Sequence, residues 1–406
     1  MKMYSLEFIK EIPKTDLHLH LDGSLRLSTL IELAKEYKIE LPSYTEAGLK
    51  ETVFKDRYVD LVDYLKGFAY TGAVMQTAEA LERIAYELAW DCINDSVFYI
   101  EVRFAPQLHI NKNLQFEDVM RAVNKGFARA KSEYNNSDKV KKEGQPQFNY
   151  GIINCALRFF LPQFSEYYTK LFDVHKFSKP EEIHSLASLE LAKATRKIIE
   201  EEGIPVVAFD LAGAEAGYPA GKHKEAFQYA HEYFINKTVH AGEAYGAESI
   251  FQAITDLHAN RIGHGFYLFD ASKVESPNIK DKEKFIKNLV NYIGNNRITI
   301  EVCLTSNLQT NPNLKSIKEH TFSKMLEAGL SVTLCTDNIL VSNTSATKEV
   351  KLATDNFDIP PKKLKDIIIY GYKRNFFFGS YREKRKYCRQ IIDYYEKIEK
   401  KHNIIY

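Results

Sequence analysis

A (β/α)8 barrel is the fold class that this sequence predicts, on three observations. Eight short β-branched, apolar runs recur along the 406 residues. Between them lie amphipathic stretches whose apolar residues fall three and four apart, the spacing of helices with one buried face. No Gly-x-Gly-x-x-Gly follows the first run, so the alternative of an open doubly wound sheet lacks its dinucleotide fingerprint. Strands alternating with crossover helices form a parallel sheet, and eight repeats point to a closed barrel.

The strand runs are Thr15–His20, Val97–Phe104, Gly151–Leu157, Val206–Leu211, Thr238–Ala241, Arg261–Gly263, Thr299–Val302 and Ser331–Cys335. Helical patterns cover Glu79–Asn94, Phe116–Lys131, Leu186–Glu201, Lys224–Phe234, Ser249–His258, Lys282–Tyr292 and Phe322–Ala328. About 75 residues separate the first two strands, too many for one crossover, so a helical insertion over about residues 40–76 is expected to cover one end of the barrel. Within it Leu61, Tyr64, Leu65 and Phe68 fall at i, i+3, i+4 and i+7, a stripe that ordinary core packing also explains. Ser132–Gln147 and Asp270–Glu283 read as solvated loops. Beyond the eighth strand, Ile359-Pro360-Pro361 and the aromatic run Tyr370–Phe378 suggest additional C-terminal helices, and Lys397–Tyr406 is expected to fray. The whole chain, 1–406, reads as one barrel domain carrying these additions.

Composition narrows the class of partner. A hydrophobic content of 45% supports a large core, and a formal net charge of +1 leaves no basic footprint for nucleic acid or an acidic membrane surface. A small neutral ligand suits that balance. No apolar run approaches the roughly 18 residues of a spanning helix, and the charged opening Met1–Glu11 lacks a signal-peptide core, so the cytoplasm is the expected compartment. Cys92, Cys155, Cys303, Cys335 and Cys388 are odd in number and widely spaced, which argues against a disulfide framework and against a Cys-x-x-Cys metal site.

The chemistry concentrates on Lys14–Ser24. Side chains alternate faces along a strand, so His18 and His20 point one way and Leu17, Leu19 and Leu21 the other, with Asp22 and a glycine next. Two adjacent imidazoles can ligate one divalent metal, or they can be two buried, hydrogen-bonded histidines. Further candidates stand at the ends of later strands: His240 and Glu243 after the fifth, His264 after the sixth, Asp337 after the eighth. Active sites of this fold lie on that face. His18, His20, His240 and Asp337 supply three nitrogens and one carboxylate, a set suited to Zn²⁺ or another borderline metal and unsuited to calcium. Glu243 and His264 then remain for other work.

His18-Leu-His-Leu-Asp-Gly, Asp210-Leu-Ala-Gly, Thr238-Val-His-Ala-Gly-Glu, Arg261-Ile-Gly-His-Gly, Cys303-Leu-Thr-Ser-Asn and Thr336-Asp-Asn resemble, in order, the motif series of the adenosine deaminases, members of the amidohydrolase superfamily. Glu101-Val-Arg-Phe-Ala-Pro-Gln and Ala212-Gly-Ala-Glu-Ala-Gly resemble its bacterial branch. The resemblance implies one zinc per chain on His18, His20, His240 and Asp337, a purine nucleoside as substrate, and hydrolysis of its C6 amino group in purine metabolism. It implies that His264 and Asp337 orient the attacking water and take up its proton, that Glu243 as a carboxylic acid protonates N1, and that the Gly213 N–H donates to N3. Asp22 would bind the ribose hydroxyls, His20 would border the substrate as well as the metal, and Leu61, Tyr64, Leu65 and Phe68 match the family's hydrophobic lid.

The chain departs from the family pattern at Leu304, where proline is usual, at Phe159, where histidine is common, and at Asn338, where many members carry aspartate. Asparagine is also found there in the bacterial branch. Asn338 is expected to donate to N7 of the purine, or else to cap the turn into Ile339–Glu349. The Pro-Cys-x-x-Cys signature of zinc deaminases acting on nucleic acids is absent. Adenine, AMP or aminodeoxyfutalosine stay open as substrates, since the ring chemistry is shared. A catalytically silent binding homologue is the remaining alternative, and it has no need of all four ligands plus Glu243 and His264.

Overall fold

The computed structural model describes residues 4–404. Eight parallel strands pair in chain order: β1 (Lys14–His20), β2 (Val97–Phe104), β3 (Asn149–Leu157), β4 (Val206–Ala212), β5 (Asn236–Ala241), β6 (Arg261–His264), β7 (Thr299–Val302) and β8 (Val332–Leu334). All eight expected strands are present, with ends moved by a residue or two and β8 shorter than its sequence pattern. β8 meets β1 through a parallel bridge between Leu19 and Asp337, where the His20 N–H donates to the Asp337 carbonyl and the Asp337 N–H to the His18 carbonyl, each at 2.8 Å. The seam that closes the barrel therefore runs through the residues expected to do its chemistry. Between β4 and β5 the pairing covers only Ala208–Asn236 and Phe209–Lys237, so these strands part before Asp210 and His240.

Strands buried on both faces explain the apolar runs, and the barrel interior explains their interruptions. Arg103, Asp210, Arg261, Glu101 and Glu301 are all essentially inaccessible. Arg103 donates to Asp210 at 2.8 Å and to Glu301 at 2.9 Å; Arg261 donates to Glu301 at 2.6 Å and also to Glu101. Removing one member would leave an uncompensated charge in the core, a cost of about 3–5 kcal/mol.

Residues 40–76 hold three short helices, Glu46–Thr52, Leu61–Leu65 and Phe68–Val74. The stripe from Leu61 to Phe68 is thus split over two helices, with Tyr64 buried and Leu61, Leu65 and Phe68 half-buried against the core. The expected loop at Ser132–Gln147 is a misreading. Its first part continues the helix Phe116–Asn135, because Ala130 and Tyr134 extend the buried face of Phe127, and Asp138–Lys141 forms a further turn. In the second expected loop, Ala271–Lys273 is a 3₁₀ turn. The C-terminal helices are Pro361–Arg374 and Tyr381–Lys401. Fraying from Lys397 is not observed over the described residues: Lys401 pairs with Glu11 at 2.7 Å, and His402 meets the same carboxylate and the Phe8 ring. Residues 405 and 406 of that expectation lie outside the described residues. No helix among the described residues is long and apolar enough to cross a membrane.

Candidate active site and metal centre

Four donor atoms converge where β1, β5 and β8 end. His18 Nε2 lies 3.0 Å from His240 Nε2 and 3.5 Å from Asp337 Oδ1; His20 Nε2 lies 3.1 Å from His240 Nε2 and 3.5 Å from the same Asp337 oxygen. Ligands about 2.0–2.1 Å from a tetrahedral ion sit roughly 3.3–3.4 Å apart, so these separations match such a set. His264 can also bring a nitrogen near: it, His18, His240 and Asp337 offer one atom each, all within 4.8 Å of one another. The closer spacing of His20 favours it as the fourth ligand, with His264 beside the set. The ring of His18 reaches this position because residue 263 is glycine; a Cβ there would meet His18 Cε1 at 2.7 Å.

Carboxylates behind the rings decide which nitrogens face the centre. His18 Nδ1 contacts Glu301 at 2.7 Å and His240 Nδ1 contacts Asp210 at 3.1 Å. Burial raises both acids, but Arg103 with Arg261 outweighs it at Glu301, and His240 with Arg103 does so at Asp210, so both stay well below the usual carboxylate range. An ionised carboxylate only accepts, so each Nδ1 donates and each Nε2 offers a lone pair. Two lone pairs then face each other across 3.0 Å, an arrangement that either a proton on one ring or a metal ion between them relieves. Burial and Arg103 push the His18 imidazole down, while Asp337 and Glu301 more than offset them and raise it, so that a proton and a metal ion compete for this place. The donor set fits a borderline divalent ion. Second-sphere carboxylates typically contribute 10–100-fold to metal affinity. Glu301→Gln is accordingly expected to weaken metal binding by about that factor in chelator competition, and an unchanged affinity would contradict this role for Glu301.

Beyond these four donors, Glu243 is buried in the turn after β5, its Oε1 3.7 Å from His264 Nε2. Burial, and then the charges of Asp337 and Glu215, push this carboxyl well above its ordinary range. A shift in this direction lets the carboxyl keep its proton to higher pH than an exposed glutamate does, which is what a proton donor needs. Its backbone is held by Glu215, whose carboxylate accepts from the N–H groups of Gly242, Glu243, Ala244 and Tyr245 at 2.6–3.0 Å and from the Ser249 hydroxyl. Burial lowers His264 well below its usual range, leaving a neutral ring. His264 and Asp337 both have left-handed backbones, φ +64° and +63°. Such strain in non-glycine residues collects at functional positions.

The remaining candidates surround the same mouth. Asp22 is buried, its pKa pushed up to about 7 chiefly by burial; its Oδ1 makes no hydrogen bond and lies 3.9 Å from His20 Nδ1. Gly213 follows β4 with φ +91°, a conformation that favours glycine, and a Cβ there would meet nothing closer than 3.9 Å. Open space beside it is what a bound ring needs. Asn338 Nδ2 donates to the Tyr64 hydroxyl at 2.7 Å, and that hydroxyl shares a hydrogen bond with Ser342, tying the Leu61–Leu65 helix to the turn after β8. Asn338 does not cap the next helix, which begins at Ala346 under Ser345. Arg158 donates to the His240 carbonyl at 2.6 Å, while Phe159 stacks on Tyr218 away from the donors.

Sequence reasoning missed the supporting residues Arg103, Glu215, Glu301 and Asn307. For Arg103 and Glu301 a signal was present: Glu-Val-Arg and Ile-Glu-Val place charges inside strands that are otherwise apolar, and a buried charge needs a partner; Glu215 and Asn307, outside the strands, gave none.

The family model for adenosine deaminase matches residues 13–158 and 174–394. An adenosine deaminase of Clostridium botulinum (strain 657 / Type Ba4) is 34% identical over 95% of this chain and 99% of its own length. One from Mycobacterium avium (strain 104) is 35% identical over 91% and 92%. A probable adenosine deaminase of Dictyostelium discoideum is 36% identical over 92% of this chain, which spans 42% of that longer protein. Among solved structures, the Arabidopsis N6-mAMP deaminase superposes with TM-score 0.71 at 25% identity, covering 95% of this chain and 99% of that one. An adenine deaminase from Arthrobacter aurescens, at 20% identity and TM-score 0.70 over the same shares, has the same fold. With the matched motifs lying on the strand ends just described, this chain belongs to the adenosine deaminase family.

Proposed function

We propose that the protein hydrolyses adenosine and 2'-deoxyadenosine to inosine or deoxyinosine and ammonia, with one zinc ion per chain on His18, His20, His240 and Asp337. The observation that carries this reading is the set of inward-facing lone pairs beside a buried carboxyl group whose pKa burial raises. Zinc, when bound, supplies Lewis acidity that brings the pKa of water down to about 7.

The chain's own residues supply the rest. Glu243 delivers its proton to N1, which removes the aromaticity of the ring and makes C6 electrophilic. Asp337 takes one proton from the water as oxygen bonds to C6, and passes it to the amino group as the C6–N bond breaks. The second water proton returns to Glu243 as the C6 carbonyl forms, so one proton has gone to N1 and one to ammonia. The Gly213 N–H donates to N3, and the Asp22 oxygen that makes no hydrogen bond within the protein accepts from a ribose hydroxyl. Tyr64, with Leu61, Leu65 and Phe68, covers the base as a lid over residues 40–76, its hydroxyl fixed by Asn338 and Ser342. Five buried cysteines, with no disulfide among the described residues, suit a reducing compartment, and the reading places the protein in the cytoplasm.

A spectrophotometric screen with adenosine, adenine and AMP tests the assignment. Adenosine is expected to be converted fastest, with ammonia released one for one; preference for adenine or AMP would move the assignment to a sister activity. Asn338 adds a sharper test. Its amide donor serves N7 at any pH, so 7-deazaadenosine is expected to lose about 1–3 kcal/mol of transition-state stabilisation, the cost of a buried donor left unpaired. Asn338→Ala should erase most of that discrimination, and a variant that discriminates as well as the wild type would remove N7 contact from the account.

A further inference from the structure

One buried polar chain behind the site is not used by the mechanism above. The Phe322 backbone N–H donates to His320 Nδ1 at 3.0 Å, His320 Nε2 lies 3.2 Å from Asn307 Oδ1, and Asn307 Nδ2 lies 3.2 Å from His264 Nδ1. All three side chains are inaccessible to solvent. The order of donors can be read from its fixed end. A backbone N–H can only donate, so His320 Nδ1 is the acceptor. Burial holds His320 down to about 3, so its ring is neutral and its single proton sits on Nε2. That proton needs an oxygen, which orients the Asn307 amide with its NH₂ toward His264. Turning the amide over would set an N–H against an N–H. His264 Nδ1 must then accept, and its proton lies on Nε2, the nitrogen that faces Glu243.

We propose that Asn307 and His320 are positioning residues which, starting from the Phe322 amide, lock His264 in the Nε2–H tautomer, so that His264 meets the attacking oxygen as a hydrogen-bond donor and not as a base. The functional half of this inference rests on the deaminase reading; the tautomer itself does not. It revises the role that the family resemblance implied for His264 and leaves the Asp337 carboxylate to accept the water proton. It also gives Cys303-Leu-Thr-Ser-Asn a purpose: the helix Leu304–Thr310 that follows β7 carries Asn307 to the back of the His264 ring.

The test is ¹⁵N NMR of the zinc-loaded full chain with selectively labelled histidine, His264 being assigned by its absence in His264→Gln. Protonated and bare ring nitrogens resonate far apart, so the two tautomers are distinguished directly. His264 is expected to show a protonated Nε2 and a bare Nδ1. In Asn307→Asp the carboxylate accepts from both sides, so the His264 tautomer should reverse. With the Nε2 donor withdrawn, kcat should fall on the order of 10²-fold, the usual loss for one transition-state donor, with KM within about threefold and zinc content unchanged. His320→Phe should leave the tautomer mixed, and His320→Gln, which restores a donor to Asn307, should recover most of the pure state and of the rate. A bare Nε2 in the wild type overturns the proposal, as does unchanged tautomer and rate in Asn307→Asp. If Asn307→Asp fails to fold, the wild-type and His320 spectra decide it. Absence of adenosine turnover with the Nε2–H tautomer present would sink the deaminase reading and leave the relay standing.

Discussion

Turnover is expected to fall by about two to four orders of magnitude in Glu243→Gln, with zinc still bound at one equivalent. The substitution keeps the shape of the side chain and removes a buried carboxyl whose pKa is raised well above its ordinary range, 3.7 Å from His264. Its amide can hydrogen-bond to N1 but cannot deliver a proton, and without N1 protonation C6 remains part of an aromatic ring. Glu215 and its backbone donors should hold the turn unchanged, so binding of a ground-state nucleoside should alter little. The sign of the pH dependence follows from the raised pKa: the protonated form of Glu243 is the active one, so kcat/KM is expected to be lost as pH rises through the folded-state value. That alkaline limb should vanish in the glutamine variant. Near-normal turnover in Glu243→Gln would mean that N1 is protonated from elsewhere.

His240→Ala is expected to give a different signature, losing metal and activity together, with turnover down by at least about three orders of magnitude, since the zinc site would lose one of its four protein ligands. His240 is the hub of the donor set: its Nε2 lies 3.0 Å from that of His18 and 3.1 Å from that of His20. Alanine also strands the buried Asp210 carboxylate, although Arg103 still pairs with it at 2.8 Å, so the barrel should survive with reduced stability. Metal analysis and circular dichroism separate the two effects. A folded His240→Ala protein that retains zinc and rate would remove His240 from the centre.

The strands and the convergence of the candidate donor side chains were legible in the sequence because period and position suffice for them. Alternation along Thr15–His20 placed His18 and His20 on one face, and the strand ends gathered His240, His264 and Asp337. The roles of Arg103, Asp210 and Glu301 were not legible, since a charge inside an apolar run does not say which of seven other strands holds its partner; that is fixed by barrel closure. The helix past Lys131 was missed because Tyr134 carries its buried face through a polar stretch. The C-terminal end was misjudged for a related reason: Lys401 and His402 find Glu11, a residue 390 positions away. The direction of the His264 tautomer lies further still from the sequence, because it depends on one backbone N–H at Phe322.

Zinc content set against activity tests the central claim most directly. Metal-free protein, prepared by chelation, should keep most of its fold and lose its adenosine deaminase activity. Added zinc should restore activity in proportion and reach a plateau at one equivalent per chain, with His18, His20, His240 and Asp337 filled. Fully active protein holding less than about half an equivalent of metal would contradict the account, since a catalytic site cannot turn over without its ion.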